Sequence, residues 1–261
     1  MAWPFKSKPI STLMFLHVAK CGGTSLVEHF GQLKSRGLCL GFACDTKQQV
    51  IAEMSRLLDQ NAIERKDIRA VYGHRVFYGL HEQFDQPCRY ATMLRNPVGR
   101  VITLYNHHAG ISTNPDHPLH QRDRELLWDQ GRLMPFEEWL NQVYTGNHMT
   151  RFLYYAMEGN EVDPPGPMTR AHLETAKTFV DRCWFVGTTE ASDADYRRLC
   201  ELVELRPPQR KANVSRPFVE PSTAPIHRSR ILDIETLDAE LYEYACNKRQ
   251  EQLRSLDSPP V

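Results

Sequence analysis

A chain of 261 residues is long enough for one α/β domain with a sizeable core, and residues 1–261, with a core of about 10–255, read as a single domain. Its 32 Lys and Arg residues balance 32 Asp and Glu, so the formal net charge is zero and no global field draws it to nucleic acid or to an anionic membrane. The 7 cysteines are odd in number and form no C-x-x-C pair, which sets aside a zinc framework in favour of reduced thiols. No stretch reaches the roughly 18–20 apolar residues of a membrane span.

The first informative segment is Phe15-Leu16-His17-Val18-Ala19-Lys20-Cys21-Gly22-Gly23-Thr24-Ser25. An apolar strand runs through two glycines and a Thr-Ser pair into a stretch of helical period, with Leu26, Phe30 and Leu33 on one face. Strand, tight loop and helix N-terminus form a geometry that binds phosphate. The glycines let the backbone approach the anion, the first helical N–H groups point at it, and Lys20 supplies positive charge. Next, Lys47 to Gln60 reads as a helix with Val50, Ile51, Met54, Leu57 and Leu58 on one face, and Ile68 to Tyr72 as a short strand. Gly73-His74 then sets an imidazole at a sheet edge, where α/β enzymes bind ligands. Cys88 to Leu94 is a strand ending in the turn Arg95-Asn96-Pro97, and Val98 to His107 is a helix.

Further on, Phe136 to Tyr144 and Met149 to Met157 read as helices, and Asp163 to Pro167 as a proline-rich loop. Met168 to Arg182 is helical and leads into the strand Cys183 to Val186, while Asp193 to Leu205 and Ile234 to Leu256 are helices. Strands separated by helices predict an α/β fold, a P-loop-like parallel sheet flanked by helices.

The position of Lys20 selects among phosphate chemistries. A Walker A loop places lysine after its last glycine, whereas Lys20 precedes Gly22 and Gly23. A cysteine-phosphatase loop needs an arginine after Cys21, and Gly22 to Val27 contains none. The segment resembles instead the 5′-phosphosulfate loop of the sulfotransferases, in the branch whose loop reads H-[IV]-P-K-[TS]-G-G-T-[ST], with departures at Ala19 and Cys21. The Cys21 change removes a hydroxyl donor and leaves the backbone N–H. Leu94 to Tyr105 is similar to that branch's [VL]-[LV]-R-[DN]-P-x-x-R-x-x-S-x-Y, with Thr103 where serine is usual. Trp184 to Glu190, Lys211 to Arg216 and Leu237 to Ala245 resemble later segments in order, so the resemblance spans nearly the whole chain. It is nearest to the branch that includes the uronyl 2-O-sulfotransferases of glycosaminoglycans, in a soluble form of bacterial type.

The resemblance implies the sulfotransferase fold and a sulfuryl transfer from 3′-phosphoadenosine 5′-phosphosulfate (PAPS) to an acceptor hydroxyl by in-line displacement. It implies no metal and 3′,5′-adenosine bisphosphate as product. His74 is the expected general base, and Lys20 the group that stabilises the leaving phosphate. Cofactor contacts are expected from Lys20, Cys21, Gly22, Gly23, Thr24 and Ser25 at the 5′ end, from Arg95 and Thr103 at the 3′-phosphate, and from Ser215 and Arg216 in a closing loop. The acceptor is expected to be a small molecule or carbohydrate, with no nucleic-acid partner. Without the membrane anchor that Golgi sulfotransferases carry, and with no small-residue cleavage site after residues 10–19, a cytoplasmic location is expected. Two other classes stay open. One is a P-loop kinase-like phosphotransferase, which lacks an apolar strand ending in a magnesium-binding Asp. The other is a non-catalytic nucleotide-binding protein of the same fold.

Several residues carry bland alternatives. His74 alone could be a structural histidine bonded to backbone, and His17 would fix the loop backbone. Cys21 at a helix N-terminus could have a lowered pKa, although a sulfuryl transferase needs no thiol. His107, His108, His117 and His120 cluster around a proline-containing loop without metal-ligand spacing, as a solvated or acceptor-binding loop would. Arg75, His81, Arg122, Arg124 and Arg151 are candidates to grip an anionic acceptor or plain surface charges.

Overall fold

The computed structural model describes residues 11–23, 26, 30, 37–40, 46–158, 166–202, 218–219 and 224–257. In chain order they form strands β1 (Thr12–Leu16) and β2 (Gly37–Leu40), helix α1 (Lys47–Asn61), and strands β3 (Ala70–Gly73) and β4 (Cys88–Leu94). Helices α2 (Pro97–Ser112) and α3 (His120–Leu127) follow, then a hairpin of β5 (Trp128–Asp129) and β6 (Arg132–Leu133). Helices α4 (Phe136–Gln142), α5 (His148–Glu158) and α6 (Arg170–Arg182) lead to strand β7 (Phe185–Thr188). Helices α7 (Ser192–Leu202), α8 (Ala224–Ile234) and α9 (Thr236–Asp257) complete the set.

The main sheet has five parallel strands in the order β2-β3-β1-β4-β7, so the fold is α/β with a parallel sheet flanked by helices, as expected. β1 is central and every side chain in it is buried, because both faces of a parallel sheet are covered. Alternation divides its residues. Met14 and Leu16 join Val50, Met54, Leu153, Phe179 and Leu241 on one face. Leu13 and Phe15 join Leu26, Phe30, Tyr72, Phe185 and Leu199 on the other. A third cluster packs α2 against the α3–α4 segment and α8, through Val101, Tyr105, Leu127, Trp139 and Ile231.

Local chemistry sets the helix starts. Thr46 and Thr169 cap α1 and α6 with reciprocal side-chain bonds to Gln49 and His172, and Asn96 caps α2 with Pro97 at its first position. The sheet edge at β7 is sealed by α9: the Gln252 amide accepts from Val186 N–H at 2.9 Å and donates to the Cys183 carbonyl at 2.9 Å. Arg249 forms a fork on Asp195, and the same carboxylate accepts from Thr188 N–H at 2.7 Å.

The structure departs from the sequence reading in particular places. Strand β2, helix α3, the hairpin and helix α8 were not anticipated by periodicity. β7 begins at Phe185 because Cys183 still terminates α6, its N–H bonding the Val180 carbonyl at 3.1 Å. The helix expected from Ile234 starts at Thr236, since Glu235 interrupts the run. The expected extension of α7 to Leu205 and the loop 163–165 lie outside the described residues. Among the described residues, no helix is long and apolar enough to cross a membrane.

Candidate functional site

Because β3, β1, β4 and β7 are adjacent and parallel, the segments leaving their C-terminal ends meet on one edge of the sheet. They carry His74, then His17 to Gly23, then Arg95, then Thr189 and Glu190. The ladder continues past the strands: His17 N–H donates to the Gly73 carbonyl at 2.9 Å, and the Thr92 hydroxyl donates to the Leu16 carbonyl at 3.0 Å. The two phosphate-type motifs, far apart in sequence, are therefore brought together.

The loop is a tight turn. Cys21 N–H donates to the Val18 carbonyl at 3.2 Å, and Lys20 and Gly22 both have positive φ, +65° and +78°. A Cβ on Gly22 would sit 3.0 Å from both the Thr189 and Tyr196 hydroxyls, and the Tyr196 hydroxyl donates to the Gly22 carbonyl. A Cβ on Gly23 would lie 2.4 Å from His17 Cδ2, closer than any real contact. Gly23→Ala is therefore expected to cost about 1–3 kcal/mol of stability. The His17→Ala/Gly23→Ala double variant should lose less than the sum of the two, a coupling that denaturant melts measure directly.

Positive charge is gathered at this turn. Arg95 Nη1 donates to the Lys20 carbonyl at 3.4 Å, and the Arg95 side chain lies over Gly99, whose added Cβ would meet Nε at 3.3 Å. Burial, then the charges of Arg95 and Arg100, lower the Lys20 pKa to about 8. Burial likewise pulls Arg95 below its ordinary value. Like charges held together at a half-buried turn are costly until an anion joins them.

Beside the turn stand two imidazoles. The His74 and His17 rings stack with centroids 4.4 Å apart and planes 21° apart. His74 Nδ1 lies 2.6 Å from the His17 carbonyl oxygen, which can only accept, so Nδ1 carries the proton and Nε2 the lone pair. Burial lowers His74 to about 4 against the opposing backbone bond, with Arg75 adding to the fall. Burial, then His74 and Lys20, lower His17 to about 3. Both rings are neutral at pH 7.

The other expected site residues fall as follows. Thr103 lies on α2 with its hydroxyl donating to the Gly99 carbonyl at 2.7 Å, so Arg95 and Thr103 share Gly99 as a neighbour. Cys21 is fully buried and its thiol is pushed up to about 12 by that burial, as suits a passive loop residue rather than a reactive thiol. Its N–H, moreover, is engaged inside the turn. Thr24, Ser25, Ser215 and Arg216 lie outside the described residues. Of the histidine cluster, His108 Nδ1 is 2.9 Å from the buried Asp123, His117 Nδ1 accepts from Leu119 N–H at 3.1 Å, and His120 Nδ1 is 3.3 Å from the Ile111 carbonyl. The His108 and His120 contacts fasten α2 to α3. Desolvation, then the Lys20 charge, hold the pKa of His107 down at about 4. The cations proposed for acceptor contact have protein partners. Arg75 stacks on Tyr155, Arg124 on Trp128, Arg122 pairs with Asp123, His81 meets the Tyr90 hydroxyl and Arg151 donates to the Gly166 carbonyl.

Sequence reasoning left Arg100 without a role, although it stands in the R-N-P-x-x-R pattern. It is fully buried. Its Nη1 donates to the Tyr144 hydroxyl at 3.1 Å, and that hydroxyl donates to Glu235 Oε1 at 2.6 Å. Glu235 Oε1 also accepts from Asn147 N–H at 2.9 Å, while Asp238 caps α5 through Met149 and Thr150 N–H. Asn147 returns the favour, its Oδ1 accepting from Leu237 and Asp238 N–H at the start of α9. Burial and the Asp238 charge push the Glu235 carboxyl up. This polar cluster interrupts the helix at Glu235 and ties α2, α5, α8 and α9 together behind the loop. Glu190 plays a similar part after β7, accepting from Asn96 N–H at 3.0 Å and from the Tyr242 hydroxyl at 2.8 Å.

No family model matches this chain, and no curated protein matches it. Among solved structures it is similar to the crystal structure of a sulfotransferase from Alicyclobacillus acidocaldarius, at 14% identity and a TM-score of 0.41, over 89% of this chain and 96% of that one. Similarity of this degree leaves the chemistry to the residues themselves.

Proposed function

We propose that the chain is a PAPS-dependent O-sulfotransferase, with a hydroxyl-bearing small molecule or carbohydrate as acceptor, akin to the branch that includes the uronyl 2-O-sulfotransferases. The observation that carries this reading is the meeting of Lys20, Arg95 and His74 on one sheet edge around a left-handed glycine turn. Burial, then the Arg95 and Arg100 charges, lower the pKa of Lys20, and an anion seated beside it would offset both, which fits a polyanionic nucleotide.

On this reading Lys20, Gly22 and Gly23, with Thr24 and Ser25, hold the 5′-phosphosulfate end. Arg95 and Thr103 hold the 3′-phosphate, and Ser215 and Arg216 close over the nucleotide. When bound, PAPS supplies an activated sulfuryl group. His74 Nε2 accepts the proton of the acceptor hydroxyl, with its tautomer fixed by the Nδ1 bond to the His17 carbonyl. Lys20 offsets the negative charge that develops on the leaving phosphate. A nearby polyanion raises the pKa of both His74 and Lys20, which moves the base toward the working range and keeps the ammonium charged.

Calorimetry with 3′,5′-adenosine bisphosphate, with ADP as control and no added metal, tests the assignment. The expected result is micromolar binding that needs the 3′-phosphate and weakens at least about tenfold in Arg95→Ala, as loss of a charge-assisted contact implies. Equal binding of ADP, or binding only with magnesium, would put the kinase-like phosphotransferase first. Tight binding without sulfuryl transfer to any hydroxyl in an acceptor screen would mean a non-catalytic nucleotide-binding protein.

A further inference from the structure

We propose that His17 is the positioning residue for His74 and the mechanical link between that base and the glycine turn, an inference that rests on the sulfotransferase reading for its catalytic consequence only. The last ladder bond of β1 holds His17 N–H on the Gly73 carbonyl at 2.9 Å, and the His17 carbonyl accepts from His74 Nδ1 at 2.6 Å. The main chain of His17 is thus clasped between two consecutive residues of the other strand end. Any residue could supply those backbone groups. The imidazole ring does two further things: one face stacks on His74, and its edge lies where a Gly23 Cβ would be, 2.4 Å from Cδ2.

A single side chain therefore touches both the base and the loop. Phe152, from α5, approaches the His74 ring with centroids 5.9 Å apart, so the base is packed from two directions. The charged and titratable groups bearing on the pair are Lys20 from the loop and Arg75 beyond β3. Both are cations and both oppose protonation of the rings. Movement of the backbone at Gly23 displaces the His17 ring and with it the stack on His74. Nucleotide seated in the turn is thereby sensed at the base.

The test is NMR titration of the His74 ring in the full chain, with and without 3′,5′-adenosine bisphosphate, in wild type, His17→Ala and His17→Phe. Wild type should titrate with a midpoint of about 4. His17→Ala should rise to roughly 5–6 because water reaches the ring, whereas His17→Phe, which keeps the stack, should stay near the wild-type value. The acidic limb of the kcat profile should move up with the His74 midpoint in His17→Ala. Nucleotide should shift the His74 resonance in wild type and in His17→Phe, and shift it less in His17→Ala at saturating ligand, where the field of the bound anion acts without the ring contact. Should His17→Ala fail to fold, His17→Ser replaces it as a small, ringless variant that also admits water. An unmoved His74 midpoint in the ringless variant, or His17→Phe behaving like it, would overturn the proposal. The titrations without nucleotide stand apart from the sulfotransferase reading. If the midpoints move as expected while no nucleotide binds, the positioning role survives and the functional reading falls.

Discussion

If the proposed sulfotransferase reading holds, replacing Lys20 by methionine is expected to lower kcat/KM for sulfuryl transfer by about 10²–10³-fold, the usual effect of losing one preorganised charge from a transition-state site. Methionine keeps the unbranched stem and removes the ammonium, so packing at this half-buried turn is retained. Stability is expected to hold or rise. The Lys20 pKa is about 8 in the folded chain, below the value near 10.4 of an unfolded lysine. Between those values the unfolded state binds more protons, so the stability of the wild type rises as pH increases from about 8. That increment should vanish in Lys20→Met, which denaturant melts at pH 7.5 and 9.5 will show. On that reading a bound polyanion reverses the depression, so binding of adenosine bisphosphate near about pH 8.5 should be accompanied by proton uptake at Lys20. Calorimetry in two buffers of different ionisation heat reads this uptake, and Lys20→Met should lack it. Full turnover in Lys20→Met would remove Lys20 from the chemistry. Proton uptake that persisted would assign the titrating group elsewhere.

Arg100→Ala should cost about 3–5 kcal/mol, the penalty for leaving a buried charge cluster without one partner. For a chain of this length that is a fall in Tm of roughly 6–20 °C. Burial works against the Arg100 charge, yet Tyr144, Cys21, Asp238 and Glu235 together hold its pKa above the ordinary value. Without it, Glu235 and Asp238 face each other with no compensating cation. Tyr144→Phe removes only the bridging hydroxyl and should cost about 1–2 kcal/mol. Adding Glu235→Gln to Arg100→Ala should recover part of the loss, since it removes the carboxyl that burial and Asp238 already push toward the protonated form. A cost below about 1 kcal/mol for Arg100→Ala would mean that the guanidinium does not neutralise the pair.

The phosphate-type loop was legible because its chemistry is local. Gly22 and Gly23 mark a turn that other residues enter only at a cost, and Asn96-Pro97 announces a helix start at whatever place the chain puts it. The alternation of strands and helices was legible for the same reason, since a stripe of apolar residues has one period or the other. What escaped was short or polar. β2 is only 4 residues, and α3 is a charged helix whose single deeply buried acid, Asp123, is explained by His108 and Arg122 from outside any hydrophobic pattern. The run through Glu235 looked like one helix because nothing in its own sequence says that Tyr144 and Asn147 will claim the Glu235 carboxylate.

By itself, then, the sequence determined the elements with a clear apolar period, the tight glycine loop and the identity of the cations and imidazole on strand ends. Tertiary structure alone decided that β3, β1 and β4 lie side by side, so that His74, Lys20 and Arg95 share one edge. It also decided that His17 stacks on His74 and that Arg100 sits buried behind the turn. The division has a physical cause. Backbone preference and periodicity act over a few residues, whereas burial, ring stacking and the mutual depression of pKa values depend on which distant segments the sheet makes neighbours.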